Sequence, residues 1–359
     1  MKLLIAAPYY APEVGGLERY ASEMAKVAVQ AGHEVVAICS GKEESIVKET
    51  WDGVTVYRLP TQVVLSNTPI SLRWYRMIKH IIADEAPDIV NVHTPVPFMG
   101  DLVIFASRGI PKIVTYHSGS MKKRNPWVDR LIEVYEWFIL PVVLHKADRI
   151  VCSSEFVRRS FLKRYLAKSE SIWPGVDIST FTRRTSEPSG NKVIFIGNFS
   201  YGWKGLEYLR EAISLVPSAH LVVVGRGTPV AAPRTQYLGT LHGDELVKEI
   251  QSSKILVLPS ISNSEAFGMV LIEAMACGVP VIGTRIGGLP DTINDQVDGL
   301  IVAPRDARAL AEAITRLIED PSLATELSEN AYQKVLHHYT WQVQGARYLD
   351  LLDRLVTPV

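Results

Sequence analysis

The chain has little that would tie it to a charged partner, an oxidising compartment or a membrane interior. Its 38 basic and 38 acidic residues cancel, so overall charge argues for neither nucleic acid nor an acidic partner. It holds only three cysteines, Cys39, Cys152 and Cys277. They form no pair motif and no metal-ligand spacing, and each lies in an apolar run, which predicts buried thiols in a reducing cytoplasm. No apolar run is long enough to span a bilayer. Met1 to Ala7 has the look of a signal peptide, yet its apolar run is short and is soon broken by Pro8, Pro12 and Glu13. The expectation there is a buried parallel strand. Short internal repeats and low-complexity tracts are also missing.

What the chain has is alternation. A strand over 3–7 leads through a loop to a helix over 17–30; Gly32 ends it and 33–39 is the next strand. Further strands fall at 89–93, 113–117 and 149–152, with helices between. This βαβ order predicts a parallel sheet covered on both faces. The stretch 183–190 has no large apolar residue, carries Pro188 and Gly190, and reads as an interdomain linker. The pattern then restarts with strands at 192–197, 221–224, 255–258 and 280–283 and helices from Gly205 and about Asp244. The expected division is one α/β domain over 1–182, the linker 183–190, and a second α/β domain over 191–340. The amphipathic segment 341–359 is expected to pack back on the first domain. Ligands in such sheets sit at the carboxyl ends of strands, where every loop discussed below falls.

The most informative segment runs from Ser264 to Val279, after the strand 255–258 and a polar loop. Apolar spacing after Gly268 predicts a helix that Gly278 stops. Its first turn would present free backbone N–H groups and the positive dipole end, an anion site. Glu265 lies before that end and Glu273 about a turn inside it. A bound phosphate would have one carboxylate on each side, each able to hold a hydroxyl. A phosphate flanked by polyols describes a nucleotide sugar.

Other loops are weaker alone. Gly15 and Gly16 come after a proline-rich loop and precede a helix, which suits backbone approach to a phosphate or a plain turn at positive φ. Lys204, in the loop 198–205, can place a point charge on a diphosphate, although a solvated lysine is the commoner fate of a single Lys. Gly225-Arg226-Gly227 resembles the start of a dinucleotide fingerprint but lacks the third glycine, Val230 standing there. His117 closes a strand and can accept a proton or hydrogen-bond a sugar; His93 closes another. Lys122-Lys123-Arg124 before Trp127, and Arg73-Trp74-Tyr75-Arg76, mix basic and aromatic residues. They fit the surface of an anionic membrane, or a solvated loop beside a buried helix, the simpler reading.

Together these motifs resemble the retaining glycosyltransferases of family 4, with a GT-B fold of two Rossmann-like α/β domains facing across a cleft. The likeness covers almost the whole length: Gly15-Gly16, His117, Pro174-Gly175-Val176-Asp177, Lys204-Gly205, Glu265 to Glu273 and Gly287-Gly288-Leu289-Pro290-Asp291. It implies that Glu273 holds the ribose hydroxyls and that Glu265 contacts the donor sugar. It further implies that amides near Phe267, Gly268, Met269 and Val270 cover the diphosphate with help from Lys204. Leu241 would lie near the base, and Gly16 would close over the phosphates. Asn198 stands where the family commonly has Arg, so one phosphate cation is replaced by a neutral donor-site residue.

The implied reaction transfers a hexose-type sugar from a nucleoside diphosphate sugar to an acceptor hydroxyl with retention, with Glu265, His117 and Lys204 as the catalytic set. The acceptor would be a glycan, a glycolipid or a small molecule. No metal is implied, and there is no Asp-x-Asp to hold one. The expected location is cytoplasmic, with peripheral membrane association as an open reading. A nucleotide-sugar-binding protein or a sugar-nucleotide epimerase of the same fold is the alternative; a glycosidase using both glutamates would leave the anion-binding loops unexplained.

Overall fold

The computed structural model describes residues 1–12, 15–65, 67–118, 121, 126–200 and 202–356. The chain forms two compact units: Met1–Trp173 with Gln344–Val359, and Pro174–Val343.

In the first unit the strands are β1 (Lys2–Ala6), β2 (Glu34–Gly41), β3 (Val47–Trp51), β4 (Val54–Pro60), β5 (Val63–Leu65), β6 (Thr68–Ile70), β7 (Ile89–Thr94), β8 (Lys112–Tyr116), β9 (Arg149–Cys152) and β10 (Ser169–Ser171). Eight of them make one sheet in the order β10-β9-β8-β7-β1-β2-β4-β3. β1 and β7 are buried almost end to end, as strands covered on both faces must be. The helices are α1 (Gly16–Gln30), α2 (Trp74–Glu85), α3 (Met99–Ala106), α4 (Pro126–Val134), a π-helical turn (Tyr135–Ile139), α5 (Leu140–Lys146) and α6 (Glu155–Phe161). α1 turns Tyr20, Ala21, Met24, Ala25 and Ala28 into the core, the i, i+4 face of an amphipathic helix.

The sheet departs from the parallel expectation at one edge, where β3 runs antiparallel to β4. Asp52 and Gly53 join them with φ of 49° and 81°, the two-residue Asp-Gly turn whose twist matches a hairpin. β5 and β6 form a separate antiparallel pair.

The second unit holds β11 (Lys192–Ile196), β12 (His220–Val224), β13 (Thr235–Gly239), β14 (Ile255–Leu258), β15 (Val281–Thr284) and β16 (Leu300–Val302). They pair in parallel in the order β13-β12-β11-β14-β15-β16. The order reverses between β11 and β14, the topological switch point where α/β sheets open a crevice at their carboxyl ends. Helices α7 (Leu206–Leu215), α8 (Gly243–Gln251), α9 (Met269–Ala276), α10 (Leu289–Thr292), α11 (Ala307–Glu319) and α12 (Pro321–His338) complete it.

The low-apolar stretch 183–190 is not the crossing point. Arg184 N donates to Cys277 O and its guanidinium to Ser253 O, both within the second unit. The change of unit comes earlier, after Trp173. Val176 bridges Thr340, and Gly175 lies so close to Trp341 that a Cβ would meet it at 2.7 Å. The last helix, α13 (Trp341–Val356), joins the first unit from Gln344 onward. Gly345 sits against Val27, Arg354 pairs with Glu170 at 3.0 Å, and Asn91 Nδ2 donates to the buried Tyr348 hydroxyl at 2.7 Å. Thr115 donates in turn to Asn91 Oδ1 at 2.9 Å. Replacing Tyr348 by Phe strands the Asn91 amide in an apolar setting. We expect a loss of about 1–3 kcal/mol, seen as a lower urea midpoint with an unchanged m value.

Candidate functional site

At the switch point of the second unit, two loops meet. The loop after β11 brings Lys204 to the loop after β14, and Lys204 Nζ lies 2.6 Å from Glu265 Oε2. Ser260 Oγ donates to the same oxygen at 2.7 Å. Both charged side chains are largely buried, where a charge needs a partner. Glu265 Oε1 accepts from no described residue. The Lys204 ammonium also stands 4.5 Å from the Trp203 ring centroid, a cation–π contact.

Glycines bring the loops this close. Gly205 caps α7 in the left-handed region, φ 68° and ψ 24°, and a Cβ there would strike Pro259 O. Ile261 N donates to Trp203 O at 2.9 Å, tying one loop to the other. Gly268 caps α9 at φ 82° and ψ 59°, wedged against Leu289 and Leu258. Gly288 N donates to Glu265 O at 2.9 Å, so the Gly287-Gly288 motif buttresses the glutamate loop from behind. Thr284 Oγ1 donates to Ser260 O at 2.5 Å and Thr292 Oγ1 to Phe267 O at 2.6 Å.

α9 begins at Met269, as the spacing predicts, and Gly278 lies just past its end at φ 70°. The amides of Met269 and Val270 have no acceptor inside the helix and lie at its positive end. Glu273 is buried on the same helix. Leu241 is half-buried in the loop between β13 and α8. Asn198 Oδ1 accepts from Ser200 N at 3.0 Å; it shapes its own turn and brings no charge. Phe199 N donates to the Arg226 carbonyl at 2.9 Å, and the Arg226 side chain is exposed. Gly225 packs on Gly197, so this loop locks the neighbouring one and carries no dinucleotide fingerprint. Tyr201 lies outside the described residues.

In the first unit the sheet reverses between β1 and β7. Gly15 precedes α1 in an extended conformation, φ −165°, that any residue adopts. Neither Gly15 nor Gly16 has positive φ, so the turn reading of this pair does not hold. Space decides at Gly15, where a Cβ would collide with the Glu18 carboxylate. Glu13 and Val14 lie outside the described residues, as do Gly119 and the basic Lys122, Lys123 and Arg124.

His93 and His117 form a pair that sequence alone kept apart. His93 Nδ1 lies 2.8 Å from His117 Nε2, the rings stacked with centroids 5.0 Å apart. Tyr20 meets His117 edge-on at 5.0 Å. His93 Nε2 is buried without a partner. A buried orphan N–H costs more than a buried bare nitrogen, so the favoured tautomer has His93 donating from Nδ1. His117 then accepts at Nε2 and carries its own proton on Nδ1. Desolvation holds His93 well below the ordinary value, with the neighbouring ring adding to it. Desolvation likewise pushes His117 down to about 3, although part of that residue's surface stays open. His117 is thus a neutral hydrogen-bond donor at physiological pH. The unfolded chain binds protons on these rings as pH falls below 6.5, while the fold does not, so stability is full above that value and declines toward about pH 3. In His93→Gln the decline should flatten by about 1.4 kcal/mol per pH unit, measured from urea midpoints across that window.

Known proteins resemble this chain in sequence and in fold. Residues 14–180 match the family described as Glycosyltransferase Family 4, and residues 190–320 match Glycosyl transferases group 1. The D-rhamnosyltransferase WbpZ of Pseudomonas aeruginosa is 29% identical over 356 residues, spanning 92% of this chain and 90% of that protein. Sucrose-phosphate synthase from Thermosynechococcus elongatus superposes with a TM-score of 0.79 at 21% identity, covering 99% of this chain and 98% of its own. Anabaena HepE, solved in complex with UDP and glucose, superposes with a TM-score of 0.77 at 18% identity, covering 99% and 100%. The structural likenesses fix the fold as GT-B, and with two family matches in succession along it, the chain belongs to the glycosyltransferases of family 4.

Proposed function

We propose that the protein is a retaining, metal-independent glycosyltransferase. It would move a hexose-type sugar from a nucleoside diphosphate sugar to an acceptor hydroxyl during glycan, glycolipid or polysaccharide synthesis on the cytoplasmic side. The observation that carries this reading is the buried Lys204–Glu265 pair at the switch point, with Glu265 in the loop that leads into α9. The UDP and glucose bound by HepE support a donor of this class.

The chemical task is to stabilise negative charge on a departing diphosphate while the sugar takes on oxocarbenium character. Amides at Met269 and Val270 meet anionic oxygens without reorganising, since the helix already fixes them. Lys204 adds a full charge from the neighbouring loop. Glu265 Oε1, which no described donor engages, is suited to a sugar hydroxyl. Glu273, further along α9, suits the ribose. His117 Nδ1–H is suited to donate to a sugar hydroxyl, a positioning role consistent with its neutrality.

Thermal stabilisation by UDP, GDP and ADP, each with its sugar conjugates, tests the donor class through mass action. One nucleotide should raise the melting temperature, its correct sugar should raise it further, and Glu273→Ala should abolish the shift. No shift with any of them removes the reading. The anomeric configuration of the product, followed by NMR, separates retention from inversion.

Lys204→Ala should cost about 1.5–3 kcal/mol of transition-state binding, or roughly 10- to 100-fold in kcat. It also leaves Glu265 uncompensated, so it should be less stable by several kcal/mol. A Lys204→Met/Glu265→Gln double variant should regain stability and stay inactive. Turnover near wild type in that variant would assign the pair to folding alone.

A further inference from the structure

One carboxylate of the first unit is buried with no cation to meet it. Asp101, on α3, is 6% exposed and forms no ion pair with any described residue. Tyr135 Oη donates to its Oδ1 at 2.9 Å, and Phe98 N donates to its Oδ2 at 2.8 Å. Burial pushes its pKa up to about 6, while these two hydrogen bonds pull the other way. Tyr135 is itself buried and opens the π-helical turn, a form that recurs at functional sites. Burying a carboxylate is costly, and an exposed Ser or Asp caps a helix without that cost. The arrangement therefore calls for a purpose beyond capping α3.

Phe98 is what the carboxylate holds. Its φ of 80° and ψ of −74° lie near the rare, strained γ-turn geometry, which a residue with a Cβ seldom adopts. Strain of this kind persists only where neighbours enforce it, and it gathers at binding sites. Asp101 and Tyr135 are the enforcing neighbours. The segment also lies where a ligand is expected. β7 is one of the two strands at which the first sheet reverses, and ligands collect at the carboxyl ends of such strands. Thr94, the last residue of β7, accepts at its carbonyl from His117 N at 3.0 Å. Val96, Pro97 and Phe98 follow, each half-buried, so the loop just beyond that contact offers apolar surface to solvent.

We propose that Phe98 binds the apolar face of a pyranose in the acceptor, and that Asp101 and Tyr135 are the positioning residues that hold it there. A pyranose presents C–H bonds on one face and hydroxyls around its rim. An aromatic ring, negative over its face, attracts the first, and the neutral His117 is suited to the second. An aliphatic alcohol has the hydroxyl without the ring and fits this combination less well. The inference rests on the transferase reading and names the acceptor class within it.

With the donor identified by thermal shift, transfer to methyl pyranosides of the mannose, glucose, galactose and rhamnose series tests it. Phe98→Gly suits the backbone and removes the ring. It should raise the acceptor KM about tenfold. Its melting temperature should stay near wild type, relieved strain offsetting lost packing, and the nucleotide-induced shift should be unchanged. Phe98→Tyr should restore the KM. Asp101→Asn offers one amide acceptor to two donors and should raise the KM similarly. Added to Phe98→Gly it should raise the KM no further, because Asp101 acts through Phe98. An Asp101 that only caps α3 would lower stability in both backgrounds and leave the KM alone, which overturns the proposal. So does wild-type KM in Phe98→Gly, or an intact nucleotide shift with no pyranoside glycosylated. No shift with any nucleotide removes the transferase reading itself, and this inference with it.

Discussion

The Lys204–Glu265 ion pair is the contact around which the second unit is arranged. Two opposite charges taken out of water are tolerated only when they meet at hydrogen-bond distance and the carboxylate finds a further donor. Ser260 supplies that donor. The surrounding glycines are then a requirement. Gly205 must sit on Pro259 O, Gly288 on Ala266 O, and Gly268 must turn left-handed between Leu258 and Leu289. A Cβ at any of these would push one loop away from the other. Strand order does the rest, because the loops after β11 and β14 leave adjacent strands at the one place where the sheet reverses.

The two units solve opposite electrostatic problems. The second buries a charged pair beside a helix N-terminus, a setting that favours an anion. The first buries two histidines against each other and against Tyr20, a setting that refuses charge. A neutral His117 can donate a hydrogen bond to a polar ligand without the desolvation cost of an imidazolium. Asn198 belongs with the neutral residues as well. Its oxygen is committed to the Ser200 amide, which leaves Lys204 as the cation of its loop that reaches the glutamate.

Much of this was legible in the residues. The strands of both sheets announce themselves because burial on both faces demands continuous apolar runs. The helix after Gly268 announces itself because Gly268 and Gly278 bracket an apolar segment. The Asp52-Gly53 hairpin was equally readable as a turn signal, but the strands it joins are short and half-exposed, so hydrophobic pattern passed over them. The crossing between units was not readable. The segment 183–190 has linker composition, yet the hydrogen bonds of Arg184 hold it to the second unit. Composition reports solvent exposure, and an exposed strand of chain can still be tied down.

What the sequence determined by itself was the kind of chemistry on each loop: a carboxylate before a helix, a lysine after a strand, glycines where backbone must come close. Local spacing carries that information because a helix or strand sets its own periodicity. Only the tertiary structure decided which of these residues touch. Lys204 and Glu265 are 61 positions apart and His93 and His117 are 24 apart; strand order alone brings each pair within hydrogen-bond reach. The aromatic residues Trp127, Trp137 and Phe138 were visible as composition, but their exposure was not. Whether an apolar residue faces core or water depends on what packs against its helix, and that is settled by neighbours distant in the chain.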